Sequence, residues 1–80
     1  MKQKHFENLW EEAESIESDN IDSVLNELLL KCNLLASLKD EESFNLLYGE
    51  ILFVLAKISK IKNINVYKEL FKTIKAKKDN

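Results

Sequence analysis

Carboxylates are the only side chains in this 80-residue sequence whose number and spacing could support chemistry. Glu11, Glu14 and Glu17 recur at every third position near the N-terminus, Glu27 stands in the next apolar stretch, and Glu50 lies inside the longest apolar run. Acids three or four residues apart share one side of a helix, and acids on facing helices of a bundle can converge on a hard cation such as Mg²⁺. On this spacing the metal-ligand candidates are Glu50, Glu27 and Glu14. Glu50 is the most informative of them, because it flanks an apolar stripe where a solvated acid is not the automatic choice. Nucleophilic catalysis has little to work with. His5 is the sole histidine and sits near the N-terminus, so neither Cys32 nor any serine has a conventional base. No glycine-rich phosphate loop is present.

The element that must position these acids is the stretch Phe44 to Ile61. Phe44, Leu47, Ile51, Val54, Leu55, Ile58 and Ile61 fall on one helical face, while Leu46, Leu52, Phe53 and Ala56 lie elsewhere on the circumference. A helix this apolar around its girth is buried by several neighbours, which makes it the central helix. Before it, a first helix runs from about Gln3 to Glu17, with Phe6, Leu9, Trp10, Ala13 and Ile16 inward and Glu11, Glu12 and Glu14 outward. Ser18-Asp19-Asn20 breaks the chain and can cap the next helix.

That second helix takes Ile21 to Leu38. Ile21, Val24, Leu25, Leu28, Cys32, Leu35 and Ala36 form one face, and Leu30, Leu34 and Leu38 a second stripe with Glu27 between. Cys32 is accordingly read as a buried, inert thiol. Asp40 caps the central helix, and Asn63 suits a left-handed end to it. Asn65 caps a last helix from Val66 to about Lys77 that buries Val66, Leu70, Ile74 and Phe71. Four helices joined by short turns predict an all-α, antiparallel bundle in a single domain spanning residues 1–80.

Composition supports this class. There is no proline and one glycine, against a turn-rich β architecture, and 45% hydrophobic with 32% charged residues describes a globular chain. A domain of this length buries only about 60% of its unfolded surface. The apolar surplus on the central helix exceeds what three short partners can cover, so a homo-oligomer, dimer or tetramer, is expected. A lone cysteine and a polar, acidic N-terminal stretch predict a cytoplasmic protein without a secretory leader. Glu50, Lys57 and Lys60 interrupt the apolar run before it reaches the roughly 18 clean residues of a membrane span.

The net charge of −2 conceals an asymmetry: residues 1–50 carry 12 acids and 4 lysines, residues 51–80 carry 8 lysines and 2 acids. Folded antiparallel, the halves neutralise each other. The absence of arginine speaks against nucleic-acid recognition, and none is expected.

At Gly49–Lys77, GEILFVLAKISKIKNINVYKELFKTIKAK, the chain resembles the C-terminal half of MazG-type nucleoside triphosphate pyrophosphohydrolases. Gly49, Leu52, Phe53, Leu55, Ile64, Leu70, Lys72 and Thr73 match the family pattern without a gap, and Glu50, Lys60 and Asn65 are chemically similar replacements. LLASLKDEESFNLLYGE is similar to the family's lead-in, one residue shorter, and LWEEAE has its general flavour. The resemblance covers about half the chain.

It implies a helical, dimeric or tetrameric enzyme that uses Mg²⁺ and water to split a nucleotide into its monophosphate and pyrophosphate. Its acids would be a Glu-x-x-Glu on one helix and a Glu-x-x-Asp on the next. Here the second pair falls on Leu47 and Glu50, and the first on Glu27 and Leu30, unless Glu11/Glu14 or Glu14/Glu17 supply it. Lys57, where the family has an asparagine, and Lys72 are the nucleotide-binding candidates that the resemblance implies. Leucine cannot coordinate a metal, so the resemblance equally implies a catalytically impaired relative.

The competing expectation is a small interaction protein without chemistry. The chain resembles, more weakly, the bacteriocin immunity proteins, through the basic KISKIKNINVYKELFKTIKAK, and a phage-type inhibitor is a variant of the same idea. An enzyme would gather Glu50 and an acid from another helix at one cavity. An interaction module would scatter its acids and expose an apolar or charged patch.

Overall fold

A computed structural model describes residues 2–16 and 20–79, with side chains from residue 6 onward. Four α-helices follow one another: α1 (Lys2–Ser15), α2 (Ile21–Ser37), α3 (Glu41–Lys62) and α4 (Val66–Lys78). They pack together as an all-α unit, with no strand among the described residues.

Local chemistry explains where the helices begin. Three of the four start on a side-chain cap. Asn20 accepts from the Ser23 amide at 2.9 Å, Asp40 from the Ser43 amide at 2.8 Å, and Asn65 from the Lys68 amide at 3.1 Å. Each cap satisfies one of the orphan N–H groups of a first turn. That hydrogen bond from the Ser43 amide holds the Asp40 carboxyl below its usual range. Glu41 and Glu42 add negative charge to the first turn of α3, and Lys60 and Lys62 positive charge to its last. Asn63 ends α3 in the left-handed conformation, φ 56° and ψ 50°, and the Ile64 amide closes back on the Ser59 carbonyl at 2.8 Å. This is a Schellman-type stop. The expected roles of Asn20, Asp40, Asn63 and Asn65 are all present.

α3 is central, flanked by α2 on one side and α1 on another. Leu46, Leu47 and Glu50 line a groove with α2. Gly49, Leu52 and Phe53 meet Phe6, Leu9, Trp10 and Ala13 of α1 around a smaller hollow of about 190 Å³. Leu47 and Val54 of the predicted stripe are buried, and so are Ala56 and Ser59, which lie off it. Two separate packing faces explain why the helix is apolar over most of its girth.

Three expectations need correction. Cys32 is exposed. The face that α2 turns to α3 runs Val24, Leu28, Lys31, Leu35 and Leu38, so the step after Leu28 is three residues and not four. Lys31 takes the boundary place because its aliphatic stem can lie along the neighbour while the ammonium reaches outward. Next, α4 buries no residue: Leu70, Phe71 and Ile74 are exposed, and only Val66 and Tyr67 are half-buried. Finally, Glu14 is turned inward to α3. The expected end of α1 at Glu17 and the first two residues of the Ser18-Asp19-Asn20 break lie outside the described residues.

Candidate functional site

Glu27 and Glu50 do come together, and what joins them is a lysine. Lys31 Nζ donates to Glu50 Oε1 at 2.6 Å and lies 3.9 Å from Glu27 Oε2. Glu27 and Lys31 are one helical turn apart on α2, and Glu50 reaches across from α3. The hydrogen bond to Glu50 raises the Lys31 pKa above 10.5, the charges of Glu50 and Glu27 add to it, and partial burial opposes them. The cluster borders the groove formed by Leu30, Leu34, Leu38, Leu46 and Leu47, about 380 Å³ in volume.

Glu14 is elsewhere. Its Oε2 accepts from the Trp10 indole N–H at 3.1 Å and from the Ser59 hydroxyl at 2.7 Å. Ser59 follows Glu50 by nine residues on α3, about 13 Å along the helix axis. The Ser59 hydroxyl also stands 2.8 Å from the Ala56 carbonyl, and its single proton serves one acceptor at a time. Glu14 thereby pins α1 to α3 through a buried serine.

The three metal-ligand candidates therefore divide into a pair and a singlet. No group of three or more His, Cys, Asp or Glu side chains is arranged to hold a metal ion among the described residues. The pair fits Mg²⁺ poorly, because an ammonium already bonds one carboxylate, lies near the other and supplies part of the positive charge that a cation would. Glu17 lies outside the described residues, so a Glu14/Glu17 pair has no geometry to weigh.

The nucleotide-binding candidates stand apart as well. Lys57 holds its ammonium 4.8 Å from the centroid of the Phe53 ring, a cation–π contact within its own helix. Lys72 is exposed and pairs with Glu69 at 3.5 Å, one turn away on α4. A surface pair of this kind contributes little to stability.

Among the described residues one buried side-chain polar atom lacks a partner. The Tyr67 hydroxyl is buried without a hydrogen bond, beside a hollow of about 150 Å³ lined by Trp10, Glu11, Glu14, Ile64, Asn65 and Val66. Burial raises its pKa above 10.0, and the negative charges of Glu7, Glu11 and Glu14 push it further the same way.

Lys31 is the residue that reasoning from sequence passed over. Its signal was legible: it follows Glu27 by four residues, the favourable helical order for an ion pair. Comparison with known protein families, with characterised proteins and with solved structures gives no match.

Proposed function

We propose that this chain is a non-catalytic helical bundle of MazG-like descent that acts by association, as a homodimer or a homotetramer. The observation that carries the reading is the Lys31 ammonium held between Glu27 and Glu50. On the resemblance, those two acids are what remains of the paired metal-binding motif, with Leu30 and Leu47 in the other two places. Lys31 then occupies the position of the cation. It offsets half of their negative charge internally, so the site has less need of Mg²⁺.

Pyrophosphate release from a panel of nucleoside triphosphates with Mg²⁺ tests this. The folded wild-type chain is expected to release none. Release that is lost in Glu50→Gln would overturn the reading. A second measurement tests the role of Lys31 directly. Thermal stability of the wild type is expected to be indifferent to Mg²⁺, whereas Lys31→Gln leaves two facing carboxylates and should become more stable when Mg²⁺ is added.

The reading as an interaction protein of the immunity or inhibitor kind shares the absence of chemistry. Helix α4 favours it: the helix carries five lysines and buries none of its 13 residues. A surface of that composition is built to meet something outside the bundle.

A further inference from the structure

The chain exposes more surface than a folded monomer of its mass should. At 9.3 kDa, mass scaling predicts about 5,000 Å², whereas the chain exposes 6674 Å². The excess of about 1,700 Å² per chain falls in the range that obligate dimers bury, well above the roughly 800 Å² per partner of a standard interface.

Two features dominate that surface, and they differ in shape and charge. One is the α2–α3 groove, where Leu30 is 69% and Leu46 68% exposed. The charged residues that line it are Lys31 and Glu50, and the segment that carries it, Glu27 to Glu50, is net acidic, with five acids and two lysines. The other is α4, whose apolar stripe starts at half-buried Tyr67 and continues uncovered through Leu70, Phe71 and Ile74. Along it lie five lysines and one acid. Pairing groove with groove would bring two net-acidic segments together, and pairing α4 with α4 two basic helices. Pairing groove with α4 covers both apolar surfaces and matches their charges.

We propose that a second copy of this chain is the partner, and that α4 of each protomer seats Leu70, Phe71 and Ile74 in the α2–α3 groove of the other. Exchanged reciprocally, the two contacts obey one two-fold axis and close the assembly. The inference rests on the self-association proposed above and adds the surfaces that carry it.

Sedimentation equilibrium of the wild type and two variants tests it. Phe71→Asp and Leu34→Lys each place a charge at a position more than half exposed in the single chain, so circular dichroism should show intact helices. Each variant alone is expected to weaken dimerisation by at least about 30-fold, the effect of an interface hot spot. An equimolar mixture should recover dimers. In the mixed pair one contact is untouched, and the other joins the introduced acid to the introduced amine.

Failure has distinct forms. A wild type that stays monomeric overturns both this inference and the self-association beneath it, and a monomer that binds anionic phospholipid vesicles would assign α4 to a lipid surface. Dimers abolished by only one of the two variants, or never recovered on mixing, overturn the groove-to-α4 arrangement while leaving self-association standing.

Discussion

Lys31, Glu14 and Tyr67 each put a polar group at the edge of an apolar seam, and their surroundings treat the three differently. Lys31 has an acid on either side, and Glu14 has two donors, one of them the buried hydroxyl of Ser59. Tyr67 has none for its hydroxyl. An unpaired buried hydroxyl costs its lost hydration without a compensating bond, so removing it should help. Tyr67→Phe is expected to stabilise the fold by about 1 kcal/mol, which for a chain of this length raises the melting temperature by about 4–8 °C. Thermal unfolding checks this, and a lower melting temperature would show that the hydroxyl has a partner after all. The carboxylate trio was legible in part. Glu27 and Glu50 were named as metal-ligand candidates, and the cation that the structure places beside both is the Lys31 ammonium. Nothing in the spacing of acids distinguishes a metal from an ammonium, because both answer the same excess of negative charge.

At the scale of the helix, the boundaries were the most legible feature of the chain. Asn20, Asp40, Asn63 and Asn65 act within three residues of themselves, so their chemistry needs no tertiary knowledge. The faces were harder to read. On α2 a step of three or four residues after Leu28 keeps the stripe continuous, and only packing against α3 selects Lys31 over Cys32. On α4 the stripe was expected to be buried and is exposed, because periodicity cannot tell a face covered inside the chain from one left open. Gly49 offers a test of α3 as an independent element. It lies in the middle of the helix without a positive φ, and a Cβ added there would meet nothing within 4 Å. Gly49→Ala should therefore stabilise the protein by about 1 kcal/mol, through helix propensity alone. Chemical denaturation measures this, and a loss of stability would mean that the site needs bare backbone.

Taken whole, the molecule has few buried apolar side chains among the described residues: Val24, Leu47, Val54 and Ala56. Among the described residues sixteen large apolar side chains remain exposed, at least two on each helix. A single chain with so thin an interior is marginal, and the proposed pairing of copies would supply further hydrophobic stabilisation. Folding and assembly should then be linked by mass action. The melting temperature is expected to rise by about 3–6 °C for each tenfold increase in protein concentration. A value independent of concentration would show that the isolated chain supports its own fold. The thin core also explains why fold class was plain from sequence while the partner was not: helical period and caps are local, whereas the covering of a surface depends on a second molecule.

The pin between α1 and α3 has an optical consequence. Trp10 is the only tryptophan, and its indole N–H is bonded to the same carboxylate that receives Ser59 from α3. Its ring also lies 6.0 Å from that of Phe6, centroid to centroid, on the same helix. Light emitted by this one indole therefore reports whether α1 is seated on α3. Trp10 also lines a hollow with Val66 and Tyr67 at the start of α4, so a rapid-mixing trace of the emission follows α1 closing onto α3 and onto the first turn of α4.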